Sequence, residues 1–183
     1  MPIHKETLEA FLNPIFVETG TYRGAGIQLA NELGFERIYS VDIDPGRVKG
    51  VLKANAGNKH IHIEAMDSPD FLKKIMPELD KPTTFWLDAH PPGYDLNRDN
   101  CPVWDELDII RNCPVPYIVL IDDMVGFKKE ARDDLIAVAQ GLGDDMEVIR
   151  VVGHLPRTAD ILAIYPNSLH LDIPRYTVDG ELL

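Results

Sequence analysis

Phe16-Val17-Glu18-Thr19-Gly20-Thr21-Tyr22-Arg23-Gly24-Ala25-Gly26 reads as a short apolar strand running into an acid, a glycine turn and the start of a helix. An α/β protein presents backbone N–H groups to a nucleotide-like ligand in this way. A second apolar strand, Arg37 to Val41, ends in Asp42, 22 residues beyond Gly20, where a carboxylate can accept from both hydroxyls of a ribose. The glycine spacing excludes the dinucleotide fingerprint. A G-x-G-x-x-G run from Gly20 needs glycines at 22 and 25, and those positions hold Tyr22 and Ala25.

Working outward, strand-like and helix-like segments alternate from residue 15 to about 165. Strands are expected near Ile15 to Glu18, Arg37 to Val41, His60 to Ala65, Thr83 to Asp88, Tyr117 to Ile121, Glu147 to Val152 and Ile161 to Tyr165. Helices fall between them; one is expected to open on Ser68 as N-cap with Pro69 next, another at Cys101 with Pro102 next. Asp44, ahead of Pro45, suits a cap for the helix after the second strand. Gly153 to Asp160 is too short for a crossover helix, so the last two strands must form an antiparallel hairpin, its tip carrying His154 and Arg157. His60-Ile61-His62-Ile63 gives the third strand the one polar face of an edge, with a His-x-His metal pair as the sharper alternative.

The chain has 183 residues, 45% of them hydrophobic, which is enough for one sizeable core and is read as a single domain over 1–183. Net charge is −12 without a Lys/Arg cluster, from which a nucleic-acid partner is expected to be excluded. The start, Met1-Pro2-Ile3-His4, lacks an apolar signal core and no run approaches a membrane span, so a soluble, cytoplasmic protein without a membrane partner is expected. Cys101 and Cys113 read as reduced structural thiols. Oligomeric state is not legible.

Read as acid-x-Gly-x-x-x-Gly, with Glu18, Gly20 and Gly24, the opening stretch resembles the first motif of class I S-adenosylmethionine (SAM) dependent methyltransferases, with Tyr22 in place of the family's middle glycine. The resemblance covers about 150 residues. It implies a Rossmann-like, seven-stranded, mostly parallel sheet of order 3-2-1-4-5-7-6 with helices on both faces, and SAM as cofactor. It assigns Glu18 to the cofactor's cationic amino-acid end, Asp42 to the ribose and Asp67 to the adenine amino group with Met66 flanking the ring, and counts Gly20, Thr21, Tyr22, Gly24 and Ser68 as further cofactor-binding positions. Asp88 is assigned to cofactor and chemistry alike.

Leu87-Asp88-Ala89-His90 and Ile121-Asp122-Asp123 end adjacent strands and bring three carboxylates and a histidine to one edge. Acids so close repel unless a cation, a proton or a partner intervenes, and the geometry suits a hard divalent ion such as Mg²⁺ on Asp88, Asp122 and Asp123. Such pairs resemble those of metal-dependent sugar O-methyltransferases, although His90 stands where that branch has a second aspartate. The fuller Leu-Asp-Ala-His, Cys-Pro and Glu-Leu pattern resembles bacterial methyltransferases of undefined substrate. His90 is the candidate general base, its ordinary pKa of about 6.5 lying near working pH. His90 to Asn100 is a candidate lid, with Arg98 free to meet an acidic substrate. His90-Pro91-Pro92-Gly93-Tyr94 departs from the Asn/Asp-Pro-Pro-Tyr motif of amino-group methyltransferases at both ends. The expected activity is methyl transfer from SAM to a small molecule at oxygen. The alternatives are a non-catalytic SAM- or nucleotide-binding domain and a nicotinamide-dependent oxidoreductase.

Overall fold

A computed structural model describes residues 3–91, 93, 95–152 and 160–183. One eight-stranded sheet carries the order β3-β2-β1-β4-β5-β7-β6-β8. Its strands are β1 Ile15–Thr19, β2 Arg37–Asp42, β3 Ile61–Ala65, β4 Thr83–Leu87, β5 Tyr117–Ile121, β6 Met146–Val151, β7 Ile161–Pro166 and β8 Arg175–Tyr176. The first five are parallel; β7 runs antiparallel to β5 and β6. The hairpin follows from its short connection. The strand β8 adds an antiparallel pair to β6 beyond the seven strands expected; two residues long, it is too short to leave a period in the sequence.

Helices α1 Lys5–Ala10, α2 Ala25–Leu33 and α3 Pro45–Ala54 cover one face, and α4 Ser68–Ile75, α5 Val103–Ile110 and α6 Lys129–Gln140 cover the other. Alternation along β1 shows why both faces are needed: Ile15 and Val17 enter the core under α4 to α6, while Phe16 enters the core under α1 to α3. Pairing of β3 with β2 alone makes it an edge strand, as its polar alternation requires. His62 stacks on Tyr39 at 5.1 Å and His60 Nε2 meets Asn31 Oδ1 at 2.8 Å, so the two imidazoles serve separate contacts.

Local chemistry sets the helix starts. Asp44 caps α3, its Oδ1 accepting from Gly46 N–H at 2.7 Å and Arg47 N–H at 3.3 Å. The other two starts differ from expectation by one residue each: Asp67 holds the cap position of α4, and Pro102 that of α5. Both cysteines are free thiols. Among the described residues no helix is long and apolar enough to cross a membrane. His154 and Arg157 lie outside the described residues.

Candidate active site

A cavity of about 840 Å³ opens beyond the carboxyl ends of β1, β2 and β4. Its wall includes Gly20, Tyr22, Asp42, Met66, Asp67, Ser68, Asp88, His90 and Asp123. The strand order switches direction between β1 and β4 here, which is where an open α/β sheet leaves a crevice.

Backbone contacts shape the loop after β1. Gly20 and Thr21 donate to the Val41 carbonyl at 2.8 and 2.9 Å, extending the β1–β2 ladder, and Gly24 closes a turn onto Thr21 O at 2.7 Å. Gly20 has φ +93°, and a Cβ there would overlap the Asp88 carbonyl oxygen. Tyr22 takes positive φ (46°) without being glycine, and its half-exposed ring lies on the cavity rim with the guanidinium carbons of Arg23 and Arg47 5.2 and 5.1 Å from its centre. Asp42 holds this arrangement together: Oδ2 accepts from Tyr22 N–H at 2.8 Å and Oδ1 from Asp44 N–H at 2.9 Å.

Glu18, Thr21 and Gly24 are absent from the wall. Register pairs Glu18 with Ser40, and both point beneath the loop on the α2 side. Ser40 Oγ donates to Glu18 Oε2 at 2.6 Å and contacts Thr21 Oγ1 at 2.6 Å. Gly26 leaves the space for that carboxyl, since a Cβ there would overlap Glu18 Oε1. Burial is the main cause that pushes Glu18 up to about 8; the charges of Asp88 and Asp42 add to it against the Ser40 bond.

At the opposite end His90 Nε2 lies 3.2 Å from Asp88 Oδ1 and 3.5 Å from Asp123 Oδ2, ion-pair contacts without hydrogen-bond alignment. Its Nδ1 faces the Pro91 carbonyl at 3.1 Å. Burial of the ring opposes its charge. Contact with Asp88, the Pro91 carbonyl and the charge of Asp123 outweigh burial and raise His90 to about 9. His90 is thus held above the ordinary imidazole value of 6.5, toward its charged form.

The acidic cluster also divides differently from expectation. Asp88, His90 and Asp123 form one group with ligand atoms within 4.8 Å of one another, and Asp122, Asp123 and Asp160 form another. Asp88, Asp122 and Asp123 do not meet as one metal set, because Asp122 turns inward to 1% exposure while Asp88 faces His90. Burial raises the Asp122 carboxyl, with Asp88 and Asp123 adding to it.

Arg98 is engaged by an acid of the chain itself. Its Nε donates to Asp134 Oδ2 at 2.9 Å, Trp104 Nε1 donates to the same oxygen at 2.8 Å, and the guanidinium stacks on Trp104. Leu96, 1% exposed, exchanges backbone bonds with Gly126 and Lys128. The segment expected to be a lid is thus pinned by its second half. Pro92 and Tyr94 lie outside the described residues.

Sequence reasoning missed Ile43, 74% exposed on the cavity wall, and Arg47, 3.5 Å from Asp42. An apolar residue between Asp42 and Asp44 was the available signal for Ile43. It also missed Glu106 on α5, 1% exposed with Oε1 unpartnered. Burial pushes Glu106 up to about 7, against Ser68, Thr19 and His90 and with the charge of Asp67.

No protein-family model matches the chain, and no curated protein matches it. Solved structures do. Human methyltransferase-like protein 13, in complex with S-adenosylhomocysteine (SAH), superposes with TM-score 0.60 at 12% identity over 91% of this chain and 80% of its own. An rRNA methylase from Streptococcus thermophilus gives 0.58 at 15% identity over 88% and 94%. The 23S rRNA methyltransferase ErmE gives 0.56 at 17% identity over 88% of this chain and 66% of its own. At these identities the likeness is one of fold, a Rossmann-like sheet of the methyltransferase type. Two of the three act on rRNA, which overturns the exclusion of nucleic acid drawn from net charge. Total charge does not decide what a local rim such as Tyr22, Arg23 and Arg47 can meet.

Proposed function

We propose that this protein is a SAM-dependent methyltransferase, with SAM in the 840 Å³ cavity and an acceptor hydroxyl at the His90 end. The observation that carries the reading is Asp42: it ends β2, grips the Gly20 loop through Tyr22 N–H, and still faces the cavity with Asp67 and Ser68 beyond it. Each Asp42 oxygen has a lone pair left for a ribose hydroxyl. The exposed Ile43 and the partly buried Met66 offer apolar surface for a purine.

Methyl transfer is an in-line displacement, so the protein must align the nucleophile, exclude water and take one proton. His90, with Asp88 and Asp123 beside it, is the proposed base. Being protonated at neutral pH, it supports a rate that rises with pH through about 9. The acceptor is read as a small molecule methylated at oxygen. A second reading, a hard cation assisting the reaction, is favoured by the unpartnered, buried Asp122 Oδ1 beside Asp123 and Asp160.

Calorimetry with SAM and with NAD⁺, followed by labelled methyl transfer to sugars, phenols, carboxylates and RNA, tests the proposal. SAM binds and NAD⁺ does not; Asp42→Ala weakens SAM by roughly 10-fold to 150-fold, the loss of a charge-assisted bond. Unchanged affinity in folded Asp42→Ala removes the ribose assignment. Binding without transfer to any acceptor leaves a SAM-binding domain, and full activity after exhaustive chelation removes the cation.

A further inference from the structure

We propose that Glu106 is a positioning residue for the base end of the cavity: from behind the wall it sets which way the Ser68 hydroxyl turns, and so selects an amino-bearing purine over an oxo-bearing one. The inference rests on the methyltransferase reading above, which puts the purine beside Asp67 and Ser68.

Glu106 belongs to the Cys-Pro and Glu-Leu part of the sequence pattern, to which the reading so far gives no role. Pro102 in the cap position of α5 starts a helix whose Val103, Leu107 and Ile110 enter the core. Glu106 lies among them at 1% exposure, where an apolar side chain would pack without cost. Among the described residues no Lys or Arg comes within ion-pair distance of it. A buried acid without a cation calls for another explanation.

The groups around the carboxyl supply one. Hydroxyls of Ser68 and Thr19 face it and favour its charged form, as does the charge of His90, while Asp67 opposes it. Cys101, ahead of the helix, feels its charge in turn. Thr19 is fully buried and its Oγ1 lacks an aligned partner, as does Glu106 Oε1. Ser68 differs from both in forming part of the cavity wall, at 6% exposure. It is therefore the one hydroxyl through which Glu106 reaches a ligand.

A hydroxyl has one hydrogen and two lone pairs. Against a carboxylate, which only accepts, Ser68 turns its hydrogen toward Glu106 and leaves lone pairs for the cavity, matching the exocyclic amine of adenine. Against a neutral carboxyl, which has a hydrogen of its own to give, Ser68 accepts from Glu106 and donates into the cavity, matching an oxo group. Burial, the first cause, pushes Glu106 up to about 7, so both forms are populated near neutral pH. The amine-selecting form gains as pH rises.

Calorimetry from about pH 6 to about pH 8 with SAH and with S-inosylhomocysteine, which differ at one edge of the purine, amine against oxo group, tests the assignment. SAH should bind more tightly, and the ratio of the two affinities should grow by about 5-fold across that range, the worth of one hydrogen bond gained or lost. Titration at the His90 end acts on both ligands alike and cancels in the ratio. Glu106→Gln carries a donor and an acceptor at every pH, and its ratio should be flat; Ser68→Ala, which leaves the buried carboxyl in place, should flatten it too and decides the matter if the first variant does not fold. A flat ratio in the wild type, or a pH dependence that survives in Ser68→Ala or in folded Glu106→Gln, would overturn the inference and leave the methyltransferase reading standing. Failure of SAH to bind the wild type at any pH overturns that reading as well.

Discussion

Gly20 joins two requirements at one residue, since its backbone lies in the left-handed region and its missing side chain lets the β1 loop rest on the Asp88 carbonyl. Gly20→Val should therefore cost at least about 2 kcal/mol of stability, read by urea unfolding, and abolish donor binding in whatever fraction folds. Wild-type stability and binding would refute the role given to the turn. Glu18 supplies the next test. Its folded pKa, about 8, lies above the ordinary 4.5, so the fold favours the protonated carboxyl. The contribution is fully present below about 4.5 and is lost as pH rises through about 8, with a slope of up to about 1.4 kcal/mol per pH unit. Glu18→Gln keeps an acceptor for Ser40 and should flatten that part of the stability profile measured by unfolding from acid to alkali; an unchanged profile would contradict the burial argument. The motif around Glu18 was legible because strand, acid and glycine follow one another. Its direction was not: whether a strand residue faces the cavity or the underside depends on pleat and register, here the pairing with Ser40.

Among the elements, the inner parallel strands could be read from apolar runs, the edge strand β3 from its polar alternation, and the β6–β7 hairpin from the length of its connection. The segment His90 to Asn100 could not. Its Pro, Gly and Asn content signals a loop without saying what it touches, and its anchors come from far along the chain: Asp134 on α6, Trp104 on α5 and the backbone at Gly126 and Lys128. Asp134→Ala removes the acceptor shared by Arg98 and Trp104. Amide exchange over residues 95 to 100 should accelerate by roughly 5-fold, as expected when an exposed charge-assisted contact that pins a loop is lost. Exchange at the wild-type rate would show that Leu96 and the backbone bonds hold the segment without it. Sequence spacing likewise put Asp88, Asp122 and Asp123 together, whereas adjacent strand ends send Asp88 toward His90 and Asp122 into the interior.

At the scale of the whole molecule, strand order places the ends of β1, β2 and β4 around one cavity, and the aspartates that end or follow four strands, β2 to β5, converge there. That convergence was legible in outline, because each acid closes an apolar run. Total charge was a poorer guide, since it averages over the surface and does not tell where single cations such as Arg23 and Arg47 stand. The central claim is that this cavity holds SAM, and the most direct measurement is a crystal structure of the protein grown with saturating SAM. The account predicts ligand density with the ribose hydroxyls on Asp42, the adenine edge toward Asp67 and Ser68, and the amino-acid end over Gly20. Saturating SAM with this cavity empty, or with the nucleoside bound elsewhere on the molecule, would contradict it.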